Sequence, residues 1–225
     1  MDATAPRRSG IVLAGGRSRR MGSPKALLDV GGEPLVCRVA RRLVVACDEL
    51  VIVAPALTGR STGEHDALAA AVLRLGDELP AGALRTVHDG APDRGPVAGL
   101  AAGLAAARGE RAFVAACDTP FLAPALVAGL FATAEGEPAA DVVIARTAGG
   151  VEPMVAVYRV ATMAAHYARQ LADGELRPTA RFAACRVREV AGAELAALDP
   201  EGASFAGVND PDEYRAALAR LRAVD

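Results

Sequence analysis

The stretch Leu13-Ala-Gly-Gly-Arg-Ser-Arg-Arg-Met-Gly-Ser-Pro-Lys-Ala-Leu-Leu28 places two adjacent glycines, three arginines and a lysine between two apolar segments. Gly15 and Gly16 permit positive φ and close approach of a ligand to the backbone, whose amides can form a concave anion site. Arg17, Arg19, Arg20 and Lys25 add the positive charge that a polyphosphate requires. The loop is neither a P-loop, since G-x-x-x-x-G-K-[ST] is absent, nor a dinucleotide fingerprint, since G-x-G-x-x-G is absent. A solvated Gly/Arg connection between a strand and a helix accounts for the same composition.

Two later stretches bear on the same chemistry. Asp89-Gly90-Ala91-Pro92-Asp93-Arg94-Gly95-Pro96 precedes Val97-Ala98-Gly99-Leu100. Gly95, Ala98 and Gly99 leave room for a flat or bulky group against a helix start, whose free amides favour an anion. The competing explanation is a Pro/Gly turn with a small-residue helix face packed on a sheet. Cys117-Asp118-Thr119-Pro120 follows the apolar run Ala112–Ala116, and an aspartate at the carboxyl end of a buried strand suits a hard cation that bridges phosphates. An Asx turn is the local alternative for Asp118.

Other reactive residue types are less telling. Glu152-Pro153-Met154 lies in a strand-like segment that could face a crevice, although an edge strand explains the proline equally well. Asn209 and Asp210 precede a helix and suit capping. His65, His88 and His166 fall in unrelated segments without metal spacing or an evident Ser or Cys partner, and read as structural or surface residues. Cys37, Cys47, Cys117 and Cys185 stand singly in apolar runs and read as reduced core thiols.

These residues need a frame. Gly10–Ala14, Glu49–Ala54, Leu84–Val87 and Ala112–Ala116 have the short apolar pattern of buried strands. Between them, helices are expected from Pro34 onward, where Leu35, Val39 and Leu43 share a face, over Glu64–Leu75 and over Val97–Ala107. Another follows over Pro124–Ala134. This alternation predicts consecutive βαβ units on a parallel sheet, with ligands outside the carboxyl ends of its strands. Beyond it the pattern predicts strands at Asp141–Arg146 and Val151–Tyr158 linked through Gly149-Gly150, a helix over Val160–Ala172, a short helix over Arg177–Ala184 and a strand over Cys185–Val190. A final helix runs to Ala223, with Asp210 as N-cap, Pro211 first and Glu213 three residues after the cap.

With 225 residues the chain can bury one large core, and 52% hydrophobic residues with only 4% aromatics imply Ala, Val and Leu packing rather than an all-β sandwich. A net charge of −2 argues against a nucleic-acid or anionic-membrane binder, so phosphate affinity must be local. No run is apolar and long enough for a membrane span, and the start lacks the pattern of a signal peptide. A single cytoplasmic domain over 1–225 is expected, with 1–9 as a flexible tail.

In order along the chain, L-A-G-G-x-S-x-R-M-G-x-x-K at Leu13–Lys25, G-P-V-A-G-L at Gly95–Leu100, C-D-T-P-F-L at Cys117–Leu122 and V-N-D-P-D-E at Val208–Glu213 resemble the molybdenum cofactor guanylyltransferase family. The resemblance implies a Rossmann-like three-layer αβα sandwich with a mostly parallel sheet. It also implies transfer of GMP from GTP to molybdenum-loaded molybdopterin, with magnesium and release of pyrophosphate. Molybdoenzymes or other cofactor-biosynthesis proteins would then be partners. By that resemblance Leu13, Ala14, Gly15 and Gly16 contact the nucleotide, Lys25 and Arg20 its phosphates, and Asp118 the metal. Asp89 lies near the nucleotide, and Gly95 and Gly99 shape its pocket. Asn209 and Glu152 fall to the second substrate, residues 10–135 forming a nucleotide half and 136–225 a second-substrate half. The chain departs from the pattern at Pro24, where an acid is common, at Ala54 and Gly207, where asparagines are common, and loosely around Glu152. These departures bear on base selectivity and the second substrate, and a cytidylyltransferase, another small-phosphate nucleotidyltransferase or a non-catalytic nucleotide-binding module are the alternatives.

Overall fold

The computed structural model describes residues 8–15, 24–56, 62–90 and 94–223. Strands β1 (Arg8–Leu13), β2 (Glu49–Ala54), β3 (Leu84–His88), β4 (Arg111–Ala116), β5 (Val142–Thr147), β6 (Gly150–Arg159) and β7 (Val187–Ala191) form one sheet in the order β3-β2-β1-β4-β6-β5-β7. All are parallel except β6, which runs antiparallel to both β4 and β5. Helices cover both faces, and the side chains divide accordingly. Val12, Ile52, Phe113, Val143 and Val157 pack under α1 (Leu35–Val44), α2 (Thr62–Gly76), α4 (Pro124–Gly136) and α6 (Gly192–Leu198). Ile11, Leu13, Val53, Val114, Ile144 and Tyr158 pack under α3 (Gly95–Ala106) and α5 (Val160–Ala172). The final helix α7 (Pro211–Arg222) closes a smaller cluster of Val30, Leu35, Val208 and Ala217. The expected three-layer αβα sandwich with a mostly parallel sheet is thus observed, and double-sided cover is why β1, β2 and β4 read as continuous apolar runs.

The topology locates the crevice. From β1 the chain winds outward through β2 to β3, then returns to place β4 on the other side of β1. The order of the strands thus reverses at the β1–β4 pair, and the crevice lies outside the carboxyl ends of these two strands. Glycines let α3 approach this end closely: a Cβ on Gly103 would stand 2.7 Å from Ile11 Cγ2, and one on Gly99 3.2 Å from Leu13 Cδ2.

Several expectations need correction. β1 begins at Arg8, inside the segment expected as a tail, while residues 1–7 lie outside the described set. Residues 177–184 form turns ending in a single 3-10 turn, Phe182–Ala184, instead of a short helix. The segment is held in turns by bonds to α5 made beside its own: Gln170 Nε2 donates to Arg177 O at 2.8 Å, which also accepts the Ala180 N–H at 3.0 Å, and Tyr167 Oη donates to Pro178 O at 3.2 Å. Pro153 is not on an edge, because β6 lies between β4 and β5. It sits where the β5–β6 register shifts between Ile144 and Arg146, so no ladder bond needs its missing N–H.

At the amino ends of the strands, polar groups are tied down. Glu49, 2% exposed, accepts from Ser9 Oγ at 2.7 Å, from the Arg108 N–H at 2.6 Å and from Arg85 at 2.9 Å. Asp141, just before β5, accepts from the Arg186 N–H at 3.0 Å, from the Arg186 guanidinium at 3.1 and 3.2 Å, and from Thr162 Oγ1 at 3.2 Å. The Arg186 guanidinium foremost, opposed by burial, holds the Asp141 carboxyl at about 2 against an ordinary 3.8. A depressed carboxyl contributes stability that is present above its unfolded value and is lost as pH falls through its folded one. We expect Asp141→Asn to cost roughly 1–2 kcal/mol at pH 7, discounted because Arg186 is largely exposed. The wild-type loss of urea resistance between about pH 4 and 2 should shrink accordingly, as unfolding midpoints at neutral and acid pH would reveal.

Candidate active site

The crevice is built from the strand ends upward. Ala14 N–H donates to Val53 O at 2.9 Å and Cys117 N–H to Leu13 O at 3.1 Å, so β1, β2 and β4 stay tied to their last residues. Leu13 and Ala14 are each 7% exposed, and the Leu13 side chain lies under Gly99 in the core. They offer a ligand backbone rather than side chains. Gly15 is exposed. Gly16, Arg17, Arg19 and Arg20 lie outside the described residues.

The chain is described again at Pro24, whose carbonyl accepts the Leu27 N–H at 3.0 Å and closes a 3-10 turn over Lys25–Leu27. Ala26 is buried within this turn, which turns Lys25 outward to the crevice. Lys25 Nζ donates to Asn209 Oδ1 at 2.7 Å and lies 3.4 Å from Asp118 Oδ2. Three segments distant in sequence therefore meet at one ammonium. Both Lys25 and Asp118 keep about a quarter of their side chains exposed, so the pair is open to a ligand.

Asp118 projects from the turn after β4. The local side-chain bond of that turn belongs to Thr119, whose Oγ1 donates to Ala116 O at 2.9 Å, and the Asp118 carboxylate is directed to Lys25 instead. Asp118 O accepts the Val208 N–H at 2.8 Å, which joins this turn to the start of α7. Asp210 caps α7 as expected, accepting the Asp212 and Glu213 N–H groups at 2.9 Å each. Glu213 reaches back to the Asn209 N–H, at 2.5 Å, one residue outside the usual capping box.

The opposite wall is set by Asp89. Its N–H donates to Ala54 O at 3.1 Å and its Oδ1 accepts the Ala56 N–H at 2.9 Å, linking the ends of β3 and β2. Asp89 Oδ2 faces Gly15, where a Cβ would stand 3.4 Å away. Gly95 begins α3 with φ +61°, a conformation in which an L side chain is strained. Glu152 sits apart on β6, accepting from Thr147 Oγ1 at 3.1 Å, at the end of the sheet where the crevice opens.

The histidines are less isolated than their spacing suggested. His65 and His88 lie with ring centroids 6.4 Å apart at the outer edge, and His88 Nδ1 is 3.0 Å from Pro55 O. His166 does have a cysteine neighbour, with Nδ1 3.5 Å from Cys185 Sγ. Burial pushes the Cys185 thiol up and the His166 imidazole down, so the pair stays neutral instead of forming a thiolate nucleophile. None of the four cysteines is joined in a disulfide.

Sequence reasoning missed the Asn209–Lys25 contact, and one available signal was overlooked. Lys25 is the sole lysine in a chain with 24 arginines, so an ammonium at this site is not a matter of composition. Among the described residues, no group of three or more His, Cys, Asp or Glu side chains is gathered as a metal cage. Asp118 fits a different kind of ion, one held through a single carboxylate plus substrate phosphates and water, as Mg2+ commonly is.

The profile of the MobA-like NTP transferase domain family matches residues 10–190. The molybdenum cofactor guanylyltransferase of Desulfosudis oleivorans is 33% identical over 99% of this chain and 98% of its own length. That of Cereibacter sphaeroides is 38% identical over 95% and 96%. Among solved structures, molybdopterin-guanine dinucleotide biosynthesis protein A from Archaeoglobus fulgidus superposes with a TM-score of 0.75, at 22% identity, over 96% of this chain and 99% of that one.

The Asp89 bridge predicts a split between two substitutions. Asp89→Ala leaves the Ala56 N–H without its acceptor and should cost about 1–2 kcal/mol in urea unfolding, whereas Asp89→Asn keeps an acceptor oxygen and should stay within about 0.5 kcal/mol of wild type.

Proposed function

The chain belongs to the MobA-like NTP transferase family, and we propose that it transfers a guanylyl group from GTP to the terminal phosphate of molybdenum-loaded molybdopterin. The observation that carries this reading is the meeting of Lys25, Asp118 and Asn209 at the carboxyl ends of β1 and β4, where this topology opens its crevice. A phosphate oxygen of the pterin attacks the α-phosphorus of GTP in line, the bond from that phosphorus to the bridging oxygen breaks, and pyrophosphate leaves with the electron pair. The nucleophile arrives on the substrate, so the protein needs no activated Ser or Cys and acts by positioning and electrostatics.

Each residue then has a physical task. Gly15 and Gly16 let backbone amides approach the phosphates, and Lys25 and Arg20 offset the repulsion between two anions. Asp118 would hold the magnesium ion, with Lys25 fixing the carboxylate from one side. When bound, that ion supplies Lewis-acid neutralisation of the phosphate oxygens. Leu13 and Ala14 offer backbone, Asp89 borders the nucleotide, and Gly95 and Gly99 keep its pocket free of side chains. Residues 10–135 form the nucleotide half of a single domain, and 136–225, including Glu152, border the second substrate. No helix among the described residues is long and apolar enough to cross a membrane, and we place the reaction in the cytoplasm.

Pyrophosphate release with molybdopterin should be faster with GTP than with CTP, and a strong CTP preference would overturn the choice of base. Asp118→Asn should lower turnover on the order of a hundredfold or more, because several kcal/mol of Lewis-acid stabilisation convert at about 1.4 kcal/mol per decade. Unchanged turnover in that variant would remove Asp118 from the metal role.

A further inference from the structure

Resting on the nucleotidyl-transfer reading, we propose that Asn209 is a positioning residue for Lys25, and that Gly207 is the gap that lets it act as one. An ammonium on a flexible four-carbon stem has no preferred direction of its own. In the crevice its anchors are unequal: Asn209 Oδ1 at 2.7 Å is a full hydrogen bond, while Asp118 Oδ2 at 3.4 Å is a looser ion pair. Of these two, Asn209 is the anchor that fixes the direction of the ammonium more closely.

The backbone on which Asn209 stands is braced from several sides. Val208 N–H donates to Asp118 O at 2.8 Å, and Asn209 N–H donates to Glu213 Oε2 at 2.5 Å. Tyr214 Oη, one turn into α7, donates to Asp29 O at 2.6 Å, joining the helix to the segment that follows the Lys25 turn. With the backbone fixed, only the carboxamide can turn, and the space beside it decides its direction. A Cβ on Gly207 would stand 2.8 Å from Asn209 Nδ2, closer than real Cβ contacts come, whereas the next neighbour, Asp118 O, is 3.8 Å away. Gly207 is not among the glycines with positive φ, so backbone conformation does not require it. Its missing side chain serves the carboxamide: Nδ2 lies over the glycine, and the oxygen, the only end that can accept from an ammonium, faces Lys25.

The consequence is a Lys25 set before substrate arrives. Asn209 acts through the lysine, as a brace, and Lys25 meets the phosphates. Removing the brace should slow the chemical step more than it weakens nucleotide binding, because orientation matters most where charge develops.

The sole lysine makes the proposal directly measurable. Full-length protein grown with 13C-labelled lysine contains a single lysine side chain, so its Cε signal reports Lys25 alone. The Cε order parameter should be high in wild type and fall measurably in both Asn209→Ala and Gly207→Ala. If Lys25 remains equally ordered in both variants, the proposal is overturned whatever the activity. In turnover, each variant should lower kcat about tenfold or more with the KM for GTP changed less than about threefold. Adding Asn209→Ala to Lys25→Ala should have no further effect, and Gly207→Ala should be silent once Asn209 is alanine. Additive losses, or full activity in Gly207→Ala, would overturn it. Thermal midpoints close to wild type in the two single variants would separate this from unfolding. A wild-type protein that releases no pyrophosphate with GTP or CTP would refute the proposed reaction while leaving the order of Lys25 to decide the brace.

Discussion

The constraint on which this molecule depends is the double-sided burial of its central strands. Between their ends, β1, β2 and β4 face helices above and below, and no polar side chain can be placed there without a partner. Polar chemistry is consequently expelled to the two ends of the strands. The buried polar residues of β1, β2 and β4, Ser9, Glu49 and Arg111, all lie at the amino ends.

The two ends use their polar groups differently. At the amino end they are spent on one another: Glu49 is matched by Ser9, Arg85 and Arg108, and Asp141 by Arg186 and Thr162. Such saturated networks hold elements in place and leave little for a ligand. At the carboxyl end, Lys25 and Asp118 are paired at 3.4 Å and partly exposed, a charge pair that a phosphate and a cation can enter. The same sheet thus has a closed end and an open end. The single reversed strand, β6, returns to the open end at its start and brings Glu152 there without breaking the parallel core.

How much of this could be read in advance follows the range of the interaction. The strand at Ile11–Leu13, the cap formed by Asp210 and the small face of α3 are written in a few consecutive residues, and each was legible. So was Asp118, because an aspartate ending an apolar run has few other places to be. The contact of Asn209 with Lys25 spans 184 residues and depends on where α7 docks, which no local pattern specifies. The loss of the expected helix at 177–184 has a related cause. Gln170 and Tyr167, across a loop, bond its carbonyls and tie its turns to α5, contacts invisible in its own propensity. Cys185 and His166 are likewise neighbours through tertiary structure, Cys185 lying just before β7, which pairs with β5.

The departures from the family's pattern acquire a common sense in this frame. At Pro24 the structure uses a carbonyl and a fixed φ to close the turn that presents Lys25. Ala54 contributes its carbonyl to the Asp89 N–H, while its side chain is buried in the core. At Gly207 it is the lack of a side chain that makes room for the Asn209 carboxamide. All three positions act through backbone or through absence, so a comparison of side-chain types alone makes them look like losses. At Pro24 and Ala54 a site of this kind can change its side chains while the Asp118 carboxylate stays where the strand end puts it, whereas at Gly207 the space itself must be kept for the carboxamide whose oxygen meets the lysine.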